Sequence, residues 1–204
     1  DTVGSKSTAI GYYSLGNQTF GSTATDSHNT AVGYHAGLAV TTGIRNTLMG
    51  AEAGDALADA DDNVAIGALA LSGDTLGSQS VAIGRGALKV QNFTTATSTY
   101  NVAVGYSAGE RVTTGVQNVI IGGLAADALT DADENVAVGF AALGVDTLGS
   151  KSTAIGRSAL ATQNFTTATD SHNTAVGYFA GLSVTTGVQN TIIGSLAGDA
   201  LNTG

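Results

Sequence analysis

The chain has 204 residues, a net charge of −9, no Pro, no Cys and 5% aromatic residues. Without cysteine there are no disulfides and no thiolate metal sites, and seven scattered cations against sixteen carboxylates cannot assemble the basic patch that nucleic acid or an anionic membrane requires. No apolar run approaches the roughly 20 residues of a membrane-spanning helix, so no membrane insertion of this segment is expected.

The chain opens inside a pattern. Asp1-Thr2-Val3-Gly4-Ser5-Lys6-Ser7-Thr8 matches Asp146-Thr147-Leu148-Gly149-Ser150-Lys151-Ser152-Thr153, and near the other end Asp199-Ala200-Leu201 matches Asp127-Ala128-Leu129. The expectation is a single repetitive segment, residues 1–204, cut from something longer.

The first complete phrase is Ser7-Thr8-Ala9-Ile10-Gly11, and ten more follow, beginning at Asn29, Asn46, Asn63, Ser80, Asn101, Asn118, Asn135, Ser152, Asn173 and Asn190. From Gly33 the closing glycines recur at Gly50, Gly67 and Gly84 in 17-residue steps, and then at Gly105 after a 21-residue step. The cycle repeats through Gly122, Gly139, Gly156, Gly177 and Gly194, giving a 72-residue super-repeat of four units. The long steps begin with Ser7, Ser80 and Ser152, so residue type encodes the longer period as well. Such fixed-period self-similarity marks a stack of identical supersecondary units.

Each phrase reads as a short strand of high β propensity. Its second position is Thr or Val, its third mostly Ala, and its fourth Val, Ile or Met. Alternation puts the second and fourth positions on one face and the third on the other. The fourth-position residues (Val32, Ile66, Ile83, Val104, Ile121, Val138, Ile155 and Val176) are assigned to the coil interior. The small third-position face, interrupted by Leu48, Ile120 and Ile192, is assigned to packing against copies of the chain. Gly33, Gly67, Gly84, Gly105, Gly122, Gly139, Gly156 and Gly177 supply a conformation or a close approach that a Cβ would block.

Three residues beyond the glycine stands Ala in ten units and Ser14 in the first, followed by Gly, Leu or Ala: Leu15, Gly37, Gly54, Leu71, then Leu88, Gly109, Ala126, Leu143, then Leu160, Gly181, Gly198. The rest of each unit reads as a second short strand and a turn. The expected fold is all-β, a parallel β-solenoid of about eleven coils, on the order of 50 Å tall at one strand spacing per coil. One or two buried aliphatics per coil, at roughly 1.5 to 3 kcal/mol each, hardly offset the entropy of ordering a whole coil, so closed symmetric self-association is expected as well.

The pattern Asn/Ser-x-Ala-Val/Ile-Gly-x-x-Ala resembles the head repeats of YadA-like trimeric autotransporter adhesins, and Ser80-Val81-Ala82-Ile83-Gly84 carries their core wording. The fuller phrase from Asn173 to Gly181, followed by Val184-Thr185-Thr186-Gly187, is similar to repeats of bacteriophage tail-fibre proteins. The resemblance implies a left-handed parallel β-roll packed as a homotrimeric fibre, on a virion tail fibre or a cell surface, with host surface molecules bound outside. Two departures stand against it: the family's final Ser is Ala here in all but one unit, and its coils are typically shorter.

Acidic turns at Asp59, Asp61 and Asn63, and at Asp131, Asp133 and Asn135, have the Asp-x-Asp-x-Asn spacing of a calcium loop's start. They lack that loop's glycine and final glutamate, so calcium sites and solvated turns are both open readings. His28 and His172 share an Asp-Ser-His-Asn context, and His35 stands alone. The extra residues of the long units contain Asn92-Phe93-Thr94 and Asn164-Phe165-Thr166, either loops offering an aromatic and hydroxyls to a glycan or plain polar bulges. Asn17, Asn92 and Asn164 each open an Asn-x-Thr sequon. No Ser, His and Asp arrangement or paired acid and base recurs, so no catalytic site and no cofactor are expected. The expected partners are other copies of the chain and a cell-surface glycan or protein. The leading expectation is a structural attachment fibre, with an adhesin head binding through the long-unit loops as the alternative. An ice-binding solenoid would need an unbroken Thr array, and position two alternates between Thr and Val.

Overall fold

A computed structural model describes residues 4–203; Asp1, Thr2 and Val3, which open the match to Asp146-Thr147-Leu148, and Gly204 lie outside the described residues. The chain forms two compact units, residues 1–100 and 101–204. No described residue is helical.

In the first unit the motif copies form β2 (Thr8–Ile10), β4 (Thr30–Val32), β5 (Thr47–Met49), β6 (Val64–Ile66) and β8 (Val81–Ile83), with β1 (Gly4–Ser5), β3 (Thr25–Asp26), β7 (Gly77–Ser78) and β9 (Thr97–Ser98) beside the long coils. In the second unit they form β10 (Val102–Val104), β11 (Val119–Ile121), β12 (Val136–Val138), β14 (Thr153–Ile155), β16 (Thr174–Val176) and β17 (Thr191–Ile193), with β13 (Gly149–Ser150) and β15 (Thr169–Asp170) as the extra pair. Within each unit every pairing is parallel and joins like positions of successive copies, as in Thr47↔Val64 and Leu48↔Ala65, or Val119↔Val136 and Ile120↔Ala137. The protein is an all-β parallel solenoid of eleven turns, five in one unit and six in the other.

Three rows of left-handed residues turn the corners. One precedes the motif (Arg45, φ 58°; Asp62, φ 59°; Glu134, φ 58°), one lies two residues after the motif glycine (His35, φ 55°; Phe179, φ 55°), and one lies four after it (Leu71, φ 53°; Gly54, φ 55°; Leu143, φ 54°). A non-glycine residue held there costs roughly 1–2 kcal/mol, so packing must over-determine each corner. The motif glycine meets both demands expected of it: Gly105 has φ 143°, and a Cβ on it would stand 2.5 Å from the carbonyl oxygen of Gly122 in the next turn.

The interior differs from the sequence expectation. Third-position residues Ala31, Leu48, Ala65, Ala82, Ala103, Ile120, Ala137, Ala154 and Ala175 are fully buried, whereas the second and fourth positions flank them half-exposed or exposed. Val32, Ile66, Ile83, Val104, Ile121, Val138, Ile155 and Val176 therefore point away from the coil's own core. The small-residue face lines the interior instead of meeting copies of the chain. The reason is width: the coil closes so tightly that Ala fills most of the strand's inner side, and bulk comes from the corner residues Leu71, Leu88, Leu143 and Leu160 and from Leu57 and Leu129. Thr at position two was the available signal, because an inward hydroxyl there would need a partner.

Volume is shared between neighbouring positions. Where the third position is large, the corner residue shrinks: a Cβ on Gly37 would meet Leu48 Cδ1 at 2.6 Å, and one on Gly181 would meet Ile192 Cδ1 at 3.0 Å. Close packing of this kind explains the set order of Leu and Gly.

A buried polar ladder runs beside the aliphatic one. Asn29 Oδ1 accepts the backbone N–H of Asn46 at 2.8 Å, Asn46 Oδ1 that of Asn63 at 3.0 Å, and Asn63 Oδ1 that of Ser80 at 2.9 Å. Each amide also donates inward, Asn46 Nδ2 to Ala60 O at 2.7 Å and Asn63 Nδ2 to Gly77 O at 3.0 Å. The second unit repeats it through Asn101, Asn118, Asn135 and Ser152. Asparagine provides both a donor and an acceptor on a short stem, which satisfies two buried backbone groups at once.

Candidate functional site

Where a long coil begins, Ser replaces Asn and a buried polar cluster takes over. The Asp74 carboxylate accepts from Gly77 N at 3.0 Å, Phe93 N at 3.1 Å and Gln91 Nε2 at 2.6 Å, and Gln91 Nε2 also donates to Ser80 Oγ at 2.9 Å. Ser80 Oγ and Thr99 Oγ1 lie 2.5 Å apart. In the second unit Asp146, Gln163, Ser152, Ser171 and Asn173 form the same network. All of these side chains are buried. Sequence reasoning missed Asp74, Asp146, Gln91 and Gln163. The signal was their joint recurrence, once per super-repeat, together with the insertion of the long coil. The network closes the insertion and offers no free group to a substrate.

Phe93 and Phe165 are not displayed. Each is 6% exposed, and Phe165 packs against Gly149, where a Cβ would lie 2.7 Å from its ring. Each ring lies inside its long coil as part of the core. Asn92, Thr94, Asn164 and Thr166 remain exposed around them, with Asn92 and Asn164 accepting from Thr75 Oγ1 (3.0 Å) and Thr147 Oγ1 (3.1 Å). Asn17 is exposed as well.

The acidic turns are occupied by the preceding coil. Asp59 accepts from Thr42 Oγ1 at 2.6 Å and Asp61 from Ile44 N at 2.8 Å; Asp131 and Asp133 do the same with Thr114 Oγ1 (2.7 Å) and Val116 N (2.8 Å). Arg45 holds Asp62 through two bonds, 2.5 and 2.9 Å, and that contact keeps the Asp62 carboxyl below its usual range. Among the described residues no three His, Cys, Asp or Glu side chains gather as a metal cluster. His28 and His172 are exposed, each beside a surface ion pair: Lys6–Asp26 at 2.6 Å and Lys151–Asp170 at 2.5 Å. Asp55 and Asp127 behave differently. Burial pushes both carboxyls up, and Asp55 Oδ1 is buried with no hydrogen-bond partner among the described residues.

The residue after each motif glycine forms an outward row that the sequence reading passed over. In the first unit Tyr12 and Tyr34 stack at 5.7 Å with planes 6° apart, and His35 lies 3.8 Å from Tyr34. In the second, Phe140, Arg157 and Tyr178 follow one another on adjacent turns, with Phe179 beside Tyr178 at 4.2 Å. The Arg157 guanidinium lies 5.9, 5.8 and 5.3 Å from the rings of Phe140, Tyr178 and Phe179, and its NH1 donates to the Tyr178 hydroxyl at 3.2 Å. Backbone bonds from Ser158 N to Phe140 O (2.9 Å) and from Phe179 N to Arg157 O (3.0 Å) hold the three turns in register.

No protein-family model matches the chain, and comparison with curated proteins and with solved structures gives no match.

Proposed function

We propose that the chain is a structural segment of an attachment fibre, a shaft or head of a virion tail fibre or surface filament built from three copies wound as left-handed rolls. The observation that carries this reading is the outward strand face. In the first unit Ile10 is 59% exposed and Met49 stands exposed at the same fourth position, and in the second Ile121 is 40% and Ile193 70% exposed, with Ile155 between them. Apolar rows of this regularity are the surface that symmetric self-association covers. In this reading the fourth position does form a core, but one shared between chains, and the chain works by geometry without catalysis. Native mass by light scattering tests it: three times the 20.0 kDa chain is expected, and a monomer at high concentration overturns it.

The alternative, an adhesin head reading glycan or matrix protein through the long-coil loops, is favoured by the exposure of Asn92, Thr94, Asn164 and Thr166 at the super-repeat spacing. Substituting those four by Ala and losing cell adhesion while keeping the assembly would select it.

A further inference from the structure

We infer that Arg157, with Phe140 and Tyr178 on either side, is a receptor for a carboxylate-bearing glycan such as a uronate polymer; this rests on the attachment reading and names the ligand class. The chain carries sixteen carboxylates against seven cations, so its cations are outnumbered by possible partners. Lys6, Arg45 and Lys151 each close onto an aspartate. No carboxylate pairs with Arg157 among the described residues. Its guanidinium is held instead by three aromatic rings, one of which, Tyr178, also accepts a hydrogen bond through its hydroxyl, at the distances given above.

Rings hold a guanidinium without neutralising it: they take its position and part of its hydration, and they leave the planar N–H edge able to meet a carboxylate through two parallel bonds. Phe140 and Tyr178 are 51% and 46% exposed, so each leaves apolar ring surface next to that edge. A pyranose bearing a carboxylate presents the complementary pair, a charged group and a C–H face a few ångströms apart. The stack of turns fixes the spacing of the three residues, so little ordering remains to oppose binding. In the first unit Tyr12 stands at the position of Arg157, stacked on Tyr34, and that stack has aromatic faces without a guanidinium between them. It serves as an internal control.

The test is calorimetric titration of the full chain with hexagalacturonate, with the same hexamer methyl-esterified, and with inorganic phosphate. Expected are saturable binding of the acid form, at least about tenfold weaker binding of the ester, and the same loss in Arg157→Gln, since a charge-assisted pair is worth that factor or more. Arg157→Lys should bind several-fold more weakly, because it keeps the charge but not the fork. Tyr34→Ala should bind like the parent. Absence of binding to the acid form, equal binding of the ester, parental affinity in both Arg157 variants, or displacement by phosphate as effective as by hexamer overturns the assignment. Native mass measured on the same samples separates the two ideas: an intact assembly that ignores uronates sinks the receptor alone, and a monomeric parent sinks the fibre reading.

Discussion

Leu48 occupies the room that a side chain on Gly54 would need: a Cβ there would stand 2.7 Å from Leu48 Cδ2 and 2.8 Å from Leu57 Cδ1. Gly54 has φ 55°, and Leu71 holds the same corner of the next turn at φ 53°, so the backbone at this corner accepts leucine. Leu48→Ala alone should cost about 2–5 kcal/mol, as a buried leucine truncated over a cavity does. Leu48→Ala with Gly54→Leu puts a leucine at the corner as in the turn of Ala65 and Leu71, but Leu57 stands where that turn has Asp74 and must shift, so the double variant should recover part of that loss. Urea unfolding of the two single variants and the double variant measures the coupling, and strict additivity would refute shared volume.

Asn63 closes one rung of the polar ladder with two hydrogen bonds, and both of its backbone partners lie inside the coil. Asn63→Ala strands the carbonyl of Gly77 and the N–H of Ser80, each at about 1–3 kcal/mol. Asn63→Asp should be no better, because it sets a carboxylate oxygen against the Gly77 carbonyl. Hydrogen exchange at Ser80 should speed up in both variants, and unchanged protection would show the rung to be dispensable.

Phe93 is a packing residue, so Phe93→Ala should lower stability by about 3–5 kcal/mol. Thr94→Ala, one residue on and exposed, should stay within about 0.5 kcal/mol. Thermal melts of the two compare them directly. The reverse order would return Phe93 to the surface.

Asp55 and Asp127 have carboxyls raised by burial above the ordinary 3.8. A raised acid binds its proton more readily in the folded chain, so its contribution favours the fold below the unfolded value and is lost as pH rises through the folded one. At neutral pH each therefore opposes folding. Asp55→Asn and Asp127→Asn should raise the melting temperature at pH 7 and flatten its change across the mildly acidic range just above the ordinary carboxylate value. Asp62 works the other way, since Arg45 lowers it, but the pair is largely exposed and its share is small.

Ile121 points out of its own coil. If the outward strand face is the shared surface proposed above, Ile121→Lys should reduce the native mass to that of one chain while the fold of the chain is kept. An assembly of unchanged mass would place the shared surface elsewhere.

The repeat made the fold legible. Both step lengths are read directly from the motif glycines, and the in-register pairing of like positions follows from them. The inside and outside of the strand were not legible from propensity, because Val and Ile favour strands on either face; only the hydroxyl of Thr30 and its counterparts argued for outside. Asn63 was recognised as a marker of period, but its two hydrogen bonds depend on the coil's width, which no single unit reveals. Phe93 was misplaced because a loop position was equated with exposure, and the acid and amide beneath it, Asp74 and Gln91, stand a full turn apart in the sequence. Arg157 gained meaning only when the turn before it and the turn after it brought their rings against its guanidinium.

The four-turn cycle of two leucines and two small residues at the fourth residue past the motif makes this protein a ruler graduated in super-repeats. Gly37 lies between Leu48 and Leu15, so excising the turn that carries Leu48 would leave that corner hollow, and excising the turn that carries Gly37 would drive the two leucines together. A cut of four consecutive turns restores every kind of neighbour wherever it falls. Lineages and engineers alike can therefore add or remove whole super-repeats of turns with repacking confined to positions such as Ala126, which stands where Gly54 does, and Ile120, which stands where Leu48 does.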